Sequence, residues 1–314
     1  MQSTSRPTML FVRTYRGMLG GHLKVFDYLR HVAASGLYTP VLWVTDASTE
    51  MPPAELLPDD LRIVRAPIDA DAYFVGGMNW ELFDGAGVTC AGKPVVNLLQ
   101  GLRHGAPGDP RLAFLARPAL RVCVSEAVER AVRETGVANG PVVAISNGID
   151  LAAVAAFRAD RARDRVFIAG AKDAPLAHAV ASRLQVLGIE TDLLVTLVER
   201  SEFLRRLGAS RAAVLLPLDV EGFYLPALEA MALGATVVMP PCEGSASFCR
   251  DGETCAIAPR DANALARTAA ALLADPARCE RIARDARAMA ARHSLERERA
   301  HFVEALRTYA ASFA

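Results

Sequence analysis

The chain has 314 residues, 52% hydrophobic and 22% charged, enough for two domains of ordinary size or one large one with ample core. Lys plus Arg equals Asp plus Glu at 35 each, so the formal net charge is zero; this argues against a general nucleic-acid binder, which shows a basic excess. The N-terminal apolar run is too short for a signal peptide and Arg13 interrupts it, and no stretch reaches the length of a membrane span, so any membrane contact is expected to be peripheral.

In chain order, Thr8–Val12 reads as a first strand, followed by a glycine-bearing loop through Gly20, Gly21 and His22 and a helix from Leu23 with apolar Leu23, Phe26 and Leu29. A strand, a loop of this kind and a helix admit a ligand, because paired glycines let the backbone approach it closely; a tight turn without a ligand has the same pattern. The loop is not GxGxxG, so a dinucleotide site is not supported. Val41–Val44 and Leu61–Val64 are the next strands. Asp69 and Asp71 precede the strand Ala72–Val75, so they read as capping and solvation rather than as a metal motif. That strand ends in Gly76 and Gly77.

Pro94–Leu99 reads as a buried central strand that delivers Gln100, Arg103 and His104 to the same edge. Arg103 suits a phosphate; His104 suits a hydroxyl, a proton transfer or a purely structural role. Arg121–Val124 precedes Ser125, a good helix N-cap, and Val142–Ile145 is followed by Ser146, Asn147, Gly148, Ile149 and Asp150. The charged run 158–165 marks a domain boundary. Val166–Ala169 opens the second half and leads to Gly170 and Lys172, which taken alone reads as a solvated surface lysine. Asp192–Val195 and a helix over Glu199–Leu207 follow.

The densest signal comes next. Ala212–Pro217 is a short apolar strand closed by proline, Leu225–Leu233 a helix with Pro226 tolerated in its first turn, Gly234 its stop, and Thr236–Met239 the next strand, together one βαβ unit. Glu221 falls in the loop at the carboxyl end of the first strand and Glu229 about a turn into the helix. Carboxylates only accept hydrogen bonds and can grip two vicinal hydroxyls, so two of them suit a ligand with two diol-bearing rings. The amides of Gly222, Phe223 and Tyr224 are expected to be exposed at the helix N-terminus, where they suit an anion between those rings. A solvated loop Glu and an ordinary helix Glu would satisfy the two positions taken alone. From Asn263 the chain reads as mostly helical, ending in a helix with Phe302, Leu306 and Tyr309 on one face.

Six cysteines, at 90, 123, 242, 249, 255 and 279, form no CxxC pair. Cys123 reads as core. Cys242, Cys249 and Cys255 cluster, but their spacings of seven and six do not match short zinc knuckles. A reduced, cytoplasmic compartment is the simplest expectation.

The string EGFYLPALEAMALGATVV resembles the donor-binding signature of retaining GT-B glycosyltransferases, family 4 in particular, written EGFGLPxLEAMAxGxPVV. The Asn147–Asp150 segment resembles the interdomain (P/S)NGVD of that fold, and GGHLKVFDYLRH resembles a subset of bacterial polysaccharide rhamnosyl- and related transferases. The resemblance implies the GT-B fold, two doubly wound Rossmann-like α/β domains with a cleft between them: residues 1–157 on the acceptor side, 158–294 binding the nucleotide sugar, and 295–314 a terminal helix packing back on the first domain. It implies transfer of a sugar from a nucleotide diphosphosugar to a carbohydrate or lipid-linked glycan acceptor, with retention, in bacterial surface polysaccharide or glycan synthesis. No metal and no cofactor beyond the donor substrate are implied. Nor is a nucleic-acid partner, and the expected place is the cytoplasm, with the inner face of the membrane for any contact.

Carried over residue by residue, Glu221 contacts the donor sugar, Glu229 the ribose, and Lys172 the diphosphate. Gly20 and Gly21 lie beside the sugar and phosphates, Arg103 and His104 face donor and acceptor, and the loop ending at Arg200 holds the base. Two departures matter: the arginine that the family pattern places after Gly170 is absent, and Pro241, Ser245 and Ala246 stand where the subset has Asp, Asn and Arg. They leave open a non-catalytic GT-B subunit that supports a partner transferase; a nucleotide-sugar 2-epimerase is the other alternative.

Overall fold

The computed structural model describes residues 6–17, 20–159 and 165–313. Of the features anticipated above, most of the charged run 158–165 and two residues of the first glycine-bearing loop, 18 and 19, lie outside the described residues. The chain divides into two compact units, Met1–Asn147 with Glu296–Ala314, and Gly148–Leu295.

The first unit is built on strands β1 (Thr8–Arg13), β2 (Thr39–Val44), β3 (Arg62–Val64), β4 (Ala72–Gly76), β5 (Val95–Leu99), β6 (Leu120–Cys123) and β7 (Val142–Ala144). They form one parallel sheet in the order β3-β2-β1-β4-β5-β6-β7. Every residue of β4, β5 and β6 is buried; a parallel sheet covered on both faces selects the continuous apolar runs read in the sequence. Helices α1 (Gly20–Ser35), α2 (Asn79–Gly85), α3 (Arg111–Phe114) and α4 (Glu126–Glu134) connect the strands. Ser125 caps α4, its side chain accepting the Val128 amide at 3.3 Å. The β1 and β4 strands are neighbours although two strands separate them in sequence, which makes their carboxyl ends the switch point of the sheet, where open α/β sheets bind ligands.

Asp69 and Asp71 do structural work here. Asp71 accepts the Thr8 amide at 2.7 Å and so fixes the start of β1, and Asp69 pairs with Lys93.

The second unit carries β8 (Arg165–Ala169), β9 (Glu190–Leu194), β10 (Ala212–Leu215), β11 (Thr236–Met239) and β12 (Ala256–Ile257), parallel in the order β12-β11-β10-β8-β9. Its helices are α5 (Leu151–Ala155), α6 (Ala174–Val186), α7 (Arg200–Gly208), α8 (Leu225–Leu233), α9 (Ala262–Ala274) and α10 (Pro276–Ala290). The core combines Val166 and Ile168 of β8 with Val214 of β10, Val180 and Leu184 of α6, and Leu265 and Leu272 of α9. The switch point lies between β8 and β10. Helix α8 is buried at every residue but Pro226, and it ends at Gly234 with φ 78°, a left-handed value that favours glycine. The segment after Asn147 pairs with the chain leaving α10, through a bridge between Ile149 and Ser294 and an Ile149 amide bond to the His293 carbonyl at 2.9 Å.

Helix α11 (Leu295–Ala310) belongs, from Glu296 on, to the first unit. Its Phe302 ring meets Tyr28 edge-on at 4.8 Å and Phe74 at 6.4 Å. Among the described residues, no helix is long and apolar enough to cross a membrane, and no group of three or more His, Cys, Asp or Glu is placed to hold a metal ion.

Candidate functional site

In the second unit, the loops after β8 and β10 carry the anticipated residues to the switch point. Glu221 is reached by Lys172 in an ion pair spanning the two loops, and its Oε1 also faces the Leu218 amide at 3.4 Å. The Lys172 ammonium sits 5.1 Å from the centre of the Tyr224 ring. The Lys172 side chain is 43% exposed. A pair so open to water contributes no more than about 1 kcal/mol, so a ligand can replace either partner at little cost.

Glu229 has a different setting. Its side chain is 3% exposed, in a helix buried nearly all round, and Arg200 at the start of α7 pairs with it. A carboxylate removed from water needs a charged or hydrogen-bonding partner. The fold therefore keeps an acid at this position beside a guanidinium, at the same edge of the sheet as Glu221. The four side chains that the sequence singled out in this unit thus come together as two ion pairs.

The helix N-terminus departs from expectation. Gly222, Phe223 and Tyr224 are buried, and the Tyr224 amide is already taken, donating to the Ser245 hydroxyl at 3.1 Å. Cys242 Sγ approaches the same hydroxyl at 3.7 Å. Gly244 packs so closely that a Cβ there would lie 2.3 Å from the Glu221 carbonyl oxygen. The 240–248 loop therefore closes over the 221–224 loop. The Phe223 ring completes the closure, 4.8 Å from that of Phe248. Open amides at all three positions are thus corrected to a buried turn, of which the Tyr224 amide is spoken for. In the sequence Ser245 stands out only as a replacement; its clasping role depends on a contact across 21 positions.

Arg260, between β12 and α9, was also missed. Its guanidinium reaches the Pro217 carbonyl, Asp219 at 3.0 Å and Asp173 at 3.3 Å.

In the first unit, Gly21 lies in the first turn of α1, which starts at Gly20 rather than at Leu23. The Gly21 carbonyl accepts from Arg13 Nη2 at 2.9 Å and from Gln100 Nε2 at 3.2 Å, so the carboxyl ends of β1 and β5 both grip this turn. Burial draws the Arg13 guanidinium down to about 10. Burial, helped by the Arg13 charge, draws His22 down to about 4.

Arg103 and His104 share a 3-10 turn, Leu102–Gly105, but point apart: Arg103 is exposed and His104 buried. Adjacent in sequence and expected to act at one edge, they are parted because a turn of about three residues per revolution places consecutive side chains on different faces. His104 Nδ1 lies 3.0 Å from the Gly101 carbonyl, which assigns the proton to Nδ1, and Nε2 is buried with no protein partner. Burial draws its pKa down to about 4, so at neutral pH the ring is uncharged and offers an acceptor at Nε2 rather than an acid.

Comparison with known proteins agrees with this architecture. Residues 143–275 match the family model described as glycosyl transferases group 1. No curated protein sequence matches the chain. Among solved structures, sucrose-phosphate synthase from Thermosynechococcus elongatus aligns with a TM-score of 0.75 at 15% identity, over 98% of this chain and 100% of that one. HepE from Anabaena in complex with UDP-glucose aligns with a TM-score of 0.73 at 16% identity, over 96% and 100%. A glycosyltransferase from Rickettsia africae aligns with a TM-score of 0.71 at 12% identity, over 97% and 98%. At such identities the likeness is one of fold: two parallel-sheet α/β units of the GT-B type.

Proposed function

We propose that the protein is a retaining glycosyltransferase that moves a hexosyl or deoxyhexosyl group from a nucleotide diphosphosugar to a carbohydrate or lipid-linked glycan acceptor, in bacterial surface polysaccharide or glycan synthesis. The observation that carries this reading is the pairing of Glu221 with Lys172 and of Glu229 with Arg200 at the switch-point edge of the second sheet. The group 1 family match over 143–275 supports it, as does the fold shared with HepE, whose structure holds UDP-glucose.

On this reading each ion pair is a resting state. Glu221 exchanges Lys172 for hydroxyls of the donor sugar, and Lys172 turns to the diphosphate. Glu229, oriented by Arg200, accepts from the ribose hydroxyls. Gly222 and its neighbours shape the turn under the diphosphate. Of the first unit, Gly20, Gly21 and Arg103 are assigned to sugar and phosphate contacts, and His104 to accepting a hydroxyl hydrogen bond once Nε2 is uncovered. The bond between the anomeric carbon and the diphosphate breaks, the acceptor oxygen bonds to that carbon on the same face, and the departing phosphate oxygen takes the acceptor proton. Fixed cations stabilise the charge that develops on the diphosphate.

The test is a thermal-shift screen against UDP, GDP, dTDP, ADP and CMP and their sugars, repeated with Glu229→Ala. A ligand that binds only the folded chain raises Tm by mass action. One nucleotide should raise Tm in the wild type and not in the variant, and the sugar nucleotide so identified should give a product with the donor's anomeric configuration. No shift at millimolar concentration with any of them would overturn the reading in favour of a non-catalytic subunit, and acceptor-free conversion to an epimer would favour an epimerase.

A further inference from the structure

The loops after β8 and β10 are joined twice over. Lys172 joins them by reaching Glu221. Arg260, arriving from the loop after β12, joins them again: it pairs with Asp173 of the first loop at 3.3 Å, and with Asp219 at 3.0 Å and the Pro217 carbonyl of the second. Lys172 and Asp173 are consecutive, and Asp219 and Glu221 are two apart, so both cations stand over the same pair of loops at the switch point of the sheet. The Tyr224 ring lies beneath Lys172, its centre 5.1 Å from the ammonium.

A nucleoside diphosphate presents two phosphoryl groups with more than one negative charge, and one ammonium neutralises a single charge. A guanidinium meets a phosphate with two parallel N–H donors, which a lysine cannot do. No arginine follows Gly170. We propose that Arg260 supplies that guanidinium from a different loop, as the second cation on the donor's diphosphate beside Lys172. The inference rests on the nucleotide-sugar reading above.

The two carboxylates on Arg260 have different roles in it. Asp173 also caps α6, accepting the Leu176 amide at 3.3 Å, and is thereby fixed; it holds the guanidinium in orientation throughout. The Asp219 side chain is 82% exposed, so its contact is weak and exchangeable. It occupies the donor group that a phosphate oxygen takes on binding, and acts as a competitor of the ligand.

The experiment measures dissociation constants by calorimetry for UDP, GDP, dTDP and ADP and for the matching nucleosides, on the full chain and on Arg260→Met, Arg260→Lys and Asp219→Asn. Loss of a charge-assisted contact should weaken the bound diphosphate about 10- to 100-fold in Arg260→Met and leave its nucleoside within about 2-fold. Arg260→Lys should fall between. Asp219→Asn should tighten the diphosphate about 2- to 5-fold, because it removes the competitor. If Arg260 only braces the loops, diphosphate and nucleoside weaken in parallel in Arg260→Met and Asp219→Asn binds more weakly; either result overturns the proposal while leaving the nucleotide-sugar reading intact. Should Arg260→Met fail to fold, the opposite signs expected for Arg260→Lys and Asp219→Asn decide. A wild type that binds none of the four diphosphates overturns this inference and the reading beneath it together.

Discussion

Lys24 and Glu298, 274 positions apart in sequence, form an ion pair of 2.5 Å with side chains 1% and 0% exposed. Lys24 also meets Asp27 at 2.8 Å, and His31 lies 3.5 Å from Glu298. The pair fixes α11 to α1, alongside the Phe302 ring set edge-on against Tyr28. Burial alone would lower the Lys24 pKa, but the charges of Glu298 and Asp27 outweigh it, and the net direction is up. Glu298→Gln leaves a buried ammonium with one carboxylate fewer, and should cost about 3 kcal/mol, read as a lower urea midpoint. The stability tied to Lys24 ionisation is fully present below its ordinary 10.5 and lost as pH rises through the higher folded value. Wild-type stability should therefore show no loss from this group at neutral or mildly alkaline pH. A Glu298→Gln midpoint equal to that of the wild type would remove the clasp from the account of α11.

The two ion pairs of the second unit should respond differently to loss of their cations. Lys172→Met breaks an exposed pair and should cost less than about 1 kcal/mol of stability, while weakening nucleoside diphosphate binding. Arg200→Met strands the buried Glu229 carboxylate and should cost about 1–3 kcal/mol as well as nucleotide affinity. Urea unfolding and calorimetry on both variants check this. Equal stability losses would mean that the burial difference between Glu221 and Glu229 has no energetic consequence.

Gly244 lies against the Glu221 and Gly222 backbone with no room for a methyl group. Gly244→Ala should push the 240–248 loop off the 221–224 turn and raise KM for the donor about tenfold or more, a displacement at the site being worth at least about 1.4 kcal/mol. Ser245→Ala removes the acceptor for the buried Tyr224 amide and should cost about 1–3 kcal/mol of stability. Donor kinetics unchanged in Gly244→Ala would show that the two loops move independently.

His104 and His22 are both drawn by burial to about 4, below an ordinary 6.5. For a base whose folded pKa is depressed, the stability contribution is present above the unfolded value and is lost as pH falls toward the folded one. The urea midpoint should thus drop between pH 6.5 and 4, and His104→Gln should flatten part of that drop. An NMR titration that finds the His104 ring charging near 6.5 would contradict its buried, neutral assignment, and with it the acceptor role at Nε2.

Much of the fold was legible because a parallel sheet covered on both faces writes itself locally. Thr236–Met239 and Leu225–Leu233 were bounded to the residue, since proline, glycine and a short apolar run leave little freedom. The α1 start lies three residues before the expected one, because Gly20 and Gly21 are poor helix formers and the turn is held instead through the Gly21 carbonyl, by Arg13 of β1 and by Gln100 just past β5. The 222–224 amides were misjudged for a related reason: nothing local announces that Ser245 and Gly244 will cover them.

By itself the sequence determined the alternation of strands and helices, and the placing of Glu221 in a strand-end loop and Glu229 in the helix behind it, because periodicity, caps and chain direction are properties of neighbouring residues. Only the tertiary structure decided strand order, and with it the partners: Lys172 reaches Glu221 across 49 positions, Arg200 reaches Glu229 across 29, and Arg260 reaches Asp173 across 87. Those pairings follow from which strand ends become neighbours at a switch point. That is settled by the packing of both sheet faces at once rather than by any local run of residues.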